Sequence, residues 1–132
     1  MTPGTHAEAE LVVQASDSAK ALSLSPADDF PEVFSTSRMI ALMELAAARC
    51  MKPLLSDGEL SVGVGVDIRH LAATPMGVRV HTRATYVGRE GKLYAFKVEA
   101  FDDGGLIGEG HHTRAIVSTK RLLSGAHARN NR

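Results

Sequence analysis

Glu44 lies inside the run MIALMELAAARCM, with Ile40, Leu42, Met43, Leu45, Ala46 and Ala47 around it. An apolar setting disfavours a charged carboxylate unless a partner compensates. A carboxylate so placed suits a general base or a nucleophile working near neutral pH. The structural alternative is an ion pair with Arg49 or another cation at the helix edge. His70 ends an alternating strand directly before LAATP, and offers either a proton carrier or a hydrogen-bonded structural ring. Thr36 offers a hydroxyl just ahead of the helix, where capping is its ordinary duty. Other reactive types are weaker. His111 and His112 are neighbours on a strand, so their side chains point to opposite faces and do not readily share a metal. Arg79, Arg83, Arg89 and Lys92 are a group that could attract phosphates, but such charges on the outer parity of a hairpin are usually a solvated surface. The single cysteine, Cys50, cannot form an internal disulfide and reads as a buried, inert thiol. There is no Gly-rich phosphate loop, Cys/His metal pattern or G-x-S-x-G elbow, so neither metal nor organic cofactor is expected.

These residues need elements to hold them. Residues 8 to 16 put Leu11, Val13 and Ala15 on one parity, which predicts a first strand, and Asp17 then offers an N-cap for a short helical turn through Leu22. Ser23 to Ser35 holds Pro26, Pro31, Asp28 and Asp29 and reads as a loop, with Phe30 in its middle, able to act as a lid. From Ser37 to Met51 the chain is rich in helix formers, with Ser35, Thr36 or Ser37 as possible N-caps and Pro53 just beyond the end. This helix is apolar nearly all round, interrupted only by Glu44 and Arg49, so it must be enclosed by other structure.

The even positions Leu60, Val62, Val64, Val66 and Ile68 then alternate with smaller or polar residues, predicting a half-buried strand whose apolar parity His70 continues. Val78, Val80, Ala84 and Tyr86 mark a further strand. Arg89 to Gly91 turns it into Tyr94, Phe96, Val98 and Ala100, so the pair should form a hairpin. A last strand runs from Leu106 to about Ser118, with Gly108 and Gly110 leaving room for curvature or a close neighbour. The order predicts an α+β hotdog fold: a curved antiparallel sheet of about five strands wrapped around one long apolar helix. One domain should span residues 1–132, with frayed tails at 1–7 and 124–132. Open sheet edges and a partly covered helix predict a homodimer, or a higher oligomer, with a continuous sheet.

Composition agrees with a small globular chain. Of 132 residues 44% are hydrophobic, and 15 basic side chains balance 15 acidic ones, so no net field draws it to nucleic acid or an anionic membrane. The first residues, MTPGTHAEAE, have neither a basic n-region nor an apolar h-region, and no apolar run approaches a membrane span. A cytoplasmic location is the expectation.

Three segments in consistent order, FPEVFSTSRMIALMELA (Phe30 to Ala46), VDIRHLAATPMG (Val66 to Gly77) and IGEGHHTRAIV (Ile107 to Val117), resemble the fluoroacetyl-CoA thioesterase family of hotdog proteins. The likeness includes the steps of eight residues from Thr36 to Glu44 and twenty-six from Glu44 to His70. It implies an acyl-CoA substrate, with catalytic roles on Thr36, Glu44 and His70. It also implies a lid phenylalanine at Phe30, an active-site glycine at Gly63 and an active-site arginine at Arg114.

Thioester hydrolysis needs an activated nucleophile, a stabilised oxyanion and a proton for the leaving thiolate. Glu44 could attack or activate water, Thr36 could position that carboxylate or itself attack, and His70 could carry the proton. Gly63 permits close approach and offers an amide to an oxyanion, or else marks a bulge or close helix–sheet packing. Eight residues of regular helix separate Thr36 from Glu44 by about 12 Å, beyond hydrogen-bond reach. Either the chain folds back before the helix, or Thr36 meets a glutamate and a histidine from a second subunit; the second, a composite site at the dimer interface, is the expectation. Two readings compete with hydrolysis of a short-chain acyl-CoA: a non-catalytic hotdog dimer that binds an acyl-CoA or small apolar ligand, and, third, a hydratase of the same fold.

Overall fold

The computed structural model describes residues 1–131. Its strands are β1 (His6–Val12), β2 (Glu59–His70), β3 (Arg79–Glu90), β4 (Leu93–Asp102) and β5 (Gly105–Ser118). They form one five-stranded antiparallel sheet in the order β1-β3-β4-β5-β2, which leaves β1 and β2 as its edges. The long helix α1 (Thr36–Met51) lies against this sheet, and a second helix, α2 (Thr119–Asn130), follows β5. Neither is long and apolar enough to cross a membrane.

Helix α1 starts where Ser35 Oγ accepts from the Arg38 amide at 3.1 Å, and Pro53 falls in the short 3-10 turn that follows it. Met39, Leu42, Met43, Ala46, Ala47, Cys50 and Met51 are buried at the three- and four-residue spacing of one helical face. They form one core with Val80, Ala84 and Tyr86 of β3, and Phe96, Val98 and Ala100 of β4. The small residues Ala46, Ala47, Ala84 and Ala100 let helix and sheet approach closely. Thr82, buried among them, bonds to the carbonyls of Ala9 and Leu42 at 3.0 and 3.2 Å, tying β1, β3 and α1 together. The expected enclosure of the helix holds only for this face. The other strip, Ile40, Ala41, Glu44, Leu45 and Ala48, is half-buried or exposed.

Several local expectations are corrected. The first strand ends at Val12, and Ala15 belongs to a 3-10 turn (Ala15–Asp17). Ser18, not Asp17, caps the following turn (Ala19–Leu22), its Oγ accepting from the Ala21 amide. Asp17 is buried because it accepts from the Gln14 amide at 2.9 Å and from Arg38 Nε at 3.0 Å. The tails are also more regular than expected. Gly4 donates to the Tyr86 carbonyl and Tyr86 to that of Thr5, so residues before β1 are already tied to β3. At the other end, Ser118 caps α2, which runs on through Asn130 with no buried residue. The last position of the expected frayed segment, 132, lies outside the described residues.

The predicted hairpin is present as β3 and β4, and its apolar parity is buried as expected. In β2 the simple alternation fails. The ladder with β5 pairs Gly63 with Arg114 but Gly65 with Thr113, so Val64 is an extra, bulged residue. A one-residue bulge reverses the facing of everything beyond it. Ser61 and Gly63 therefore face α1 before the bulge, and Ile68 and His70 after it, while Leu60 and Val64 are exposed.

Gly108 and Gly110 mark close neighbours. A Cβ at Gly108 would meet the Met39 thioether, and one at Gly110 would strike the Asp67 carbonyl of β2. Backbone cannot yield as a flexible side chain can. Gly110→Ala should therefore lower stability by about 1–3 kcal/mol, read as a reduced urea midpoint at unchanged slope.

Candidate active site

Thr36 is the first residue of α1 and His70 the last of β2, and their side chains meet: Thr36 Oγ1 lies 2.8 Å from His70 Nδ1. The bulge in β2 is what turns His70 towards the helix. Burial pushes the imidazole below its ordinary pKa, against a smaller upward pull from the Ala72 backbone. Its other nitrogen, Nε2, is buried with no hydrogen-bond partner among the described residues. A cavity of about 400 Å³ opens beside the pair, lined by Pro31, Val33, Phe34, Leu71 and Ala72 among others.

Glu44 lies two turns further along α1 and does not touch that pair. At 38% side-chain exposure it reaches the helix strip that the sheet leaves open, and its Oε1 lies 3.5 Å from Arg114 Nη1. The compensating cation is thus Arg114 of β5. Arg49, the alternative partner, instead donates to the Glu8 carbonyl at 3.0 Å. Arg114 is itself buried and almost fully engaged: Nε donates to Ser61 Oγ at 3.0 Å and Nη2 to the Ser61 carbonyl at 2.9 Å. Nη1 also lies 3.1 Å from His112 Nε2, and the far nitrogen of that ring, Nδ1, lies 2.8 Å from the Gly65 carbonyl. Burial is the main reason that the His112 pKa falls below its ordinary value. The Gly65 carbonyl and Glu44 pull it upward, whereas Arg114 and His111 push it down. Gly63 completes the arrangement, because a Cβ there would collide with Glu44 Oε1.

One chain therefore joins Thr36 to His70 and, separately, Glu44 to Arg114 and Gly63. Thr36 lies within the helix rather than folding back, so about 12 Å of helix rise separates it from its own Glu44. The expectation that a second subunit would supply the histidine is corrected, since His70 meets Thr36 in the same chain. Phe30 stands in the segment before the helix at 46% exposure, and the cavity beside Thr36 is lined instead by Phe34, which is buried. His111 points away from the site and lies 2.7 Å from Glu90. Arg83 is near Glu8, and Arg89 stacks on Tyr94 at 4.1 Å, so these two have local partners. His112 and Ser61 were missed from sequence. The available signal for His112 was its parity with Arg114, two residues along β5.

Fold and site together put the chain in the class of hotdog acyl-CoA thioesterases. The fluoroacetyl-CoA-specific thioesterase family matches residues 13–120, and the chain belongs to that family. The fluoroacetyl-CoA thioesterase of Streptantibioticus cattleyicolor is 41% identical over 94 residues, covering 71% of this chain and 68% of the relative. A solved structure of the fluoroacetyl-CoA thioesterase FlK superposes with a TM-score of 0.91 at 35% identity, covering 97% of this chain and 96% of its own. A thioesterase-superfamily protein of Thermus thermophilus has the same fold at 28% identity and a TM-score of 0.87, over 98% of this chain and 93% of its own.

Two outcomes follow from this geometry. Gly63→Ala should displace the Glu44 carboxylate and cut thioester turnover by about tenfold or more, with far-ultraviolet circular dichroism unchanged, because the side chain can swing away without unfolding the sheet. His70 and His112 are both held below the ordinary value of about 6.5, so the stability they confer is complete above that pH and is lost as pH falls through their lower folded values. The thermal midpoint should drop on acidification below that point, with a shallower slope in His70→Asn.

Proposed function

We propose that the chain hydrolyses a short-chain acyl-CoA as a homodimer, each site combining Thr36 and His70 of one subunit with Glu44 and Arg114 of the other. What carries this reading is the division of the site: Thr36 is bonded to His70 at 2.8 Å, while Glu44 sits two turns away on the half-exposed strip of the same helix. The helix strip and the edge strand β2, with Leu60, Val64 and Val66 exposed, offer a second copy both apolar surface and an unpaired strand edge.

In this reading Glu44 drives attack on the thioester carbon, directly or through water. Arg114 compensates its charge, and as the C–S bond breaks the Thr36–His70 pair relays to the departing thiolate a proton that originates in the water consumed. Gly63 lets the Glu44 carboxylate sit against the sheet, in the space that a side chain would fill. Phe30, exposed in the segment that leads into the helix, is the lid. The relatives act on fluoroacetyl-CoA by name, which supports a small acyl group here. Leu71, beside His70 in the cavity wall, bears on the choice among acyl groups.

Subunit mixing tests the reading. Thr36→Ala and Glu44→Gln should each lose about a hundredfold or more in turnover. Mixed and re-equilibrated, the two inactive proteins should recover about one quarter of wild-type thiol release, because half of the dimers then hold one intact shared site. No recovery, with mixed dimers shown to form, would place the whole site in one chain. Full activity in Glu44→Gln would remove the carboxylate from the mechanism.

A further inference from the structure

We propose that His112 is a positioning residue whose ring, fixed as the Nδ1–H tautomer between the Gly65 carbonyl and Arg114, holds the guanidinium in the one orientation that presents Glu44 for catalysis. The inference rests on the reading of Glu44 as the catalytic carboxylate. Two contacts fix the tautomer independently. A backbone carbonyl can only accept, so the 2.8 Å contact to Gly65 requires a hydrogen on Nδ1. A guanidinium can only donate, so the 3.1 Å contact from Arg114 Nη1 requires a bare lone pair on Nε2. Both are met by the same neutral ring. The 3.9 Å separation between Nε2 and Glu44 Oε1 is accordingly no ion pair, since two acceptors face each other there with Arg114 alongside.

Arg114 Nη1 then has two calls on its hydrogens, His112 and Glu44, while Nε and Nη2 are held by Ser61. Held on both sides, the guanidinium touches Glu44 through Oε1 alone. Without the imidazole lone pair, a buried N–H would be left without its acceptor and would turn towards the carboxylate. A tighter, two-point ion pair would make Glu44 a poorer base or nucleophile. The groups facing the ring are few: Glu44 from α1, Arg114 from β5, the Gly65 carbonyl from β2, and the apolar Phe96 opposite on β4. His111 lies on the other face against Glu90. Protonation of His112 would set an N–H against Arg114, so acid breaks the arrangement.

The test joins spectroscopy to kinetics. In the unaltered protein at neutral pH, the ring nitrogens of ¹⁵N-labelled His112 should show Nδ1 protonated and Nε2 bare. His112→Phe should lower kcat about tenfold with KM within about twofold, and His112→Gln, whose side-chain carbonyl can accept from Arg114, should recover most of the loss. An Nε2–H tautomer overturns the proposal, as does wild-type kcat in folded His112→Phe. If that variant does not fold, the tautomer decides. Glu44→Gln measured alongside separates the two failures: its full activity removes the Glu44 reading, whereas its loss beside an active His112→Phe removes only the role of His112.

Discussion

The pairing of Glu44 on the helix with Arg114 of the sheet, at 3.5 Å, is the constraint to which this site is built. Arg114 is buried, and a buried guanidinium is tolerable only when its fork of N–H groups is matched. Ser61 matches one side through both its hydroxyl and its carbonyl, and His112 and Glu44 match the other. Gly63 is required because the carboxylate occupies the space that a side chain would fill. Four residues on β2 and β5 are thus selected by one charge on α1.

The bulge at Val64 serves the same site from the other end. Gly63 has to face Glu44, and His70, seven residues later, has to face Thr36. Strict alternation would put two residues an odd number apart on opposite faces. One extra residue in the ladder brings them to the same face. Edge position makes this tolerable, since within one chain β2 is paired only with β5 and the bulge interrupts a single ladder.

Much of the fold was legible because it is governed by local periodicity. Helix α1, the β3–β4 hairpin and β5 follow from the spacing of apolar residues, with caps and turns near the expected positions. Glu44 was legible for the same reason, as a charge out of pattern. The faults arose where a non-local contact overrode the local pattern. Leu60, Val62 and Val64 alternate cleanly yet do not share the facing of His70, because pairing with β5 shifts the register. Asp17 resembles a cap but is taken by Arg38, 21 residues on. Segments at the ends are ordered by contacts with Tyr86 and by the Ser118 cap, which composition alone does not reveal.

The sequence by itself determined that one apolar helix carries a carboxylate, that a hydroxyl stands eight residues before it, and that an imidazole ends the next strand. The motifs also determined the family. Only the tertiary structure decided how these groups are shared out: His70 with Thr36, and Glu44 with Arg114. The physical reason is that helix rise is local and keeps Thr36 from its own Glu44, whereas counter-ions and imidazole partners are chosen by strand register, which depends on residues far apart in the chain.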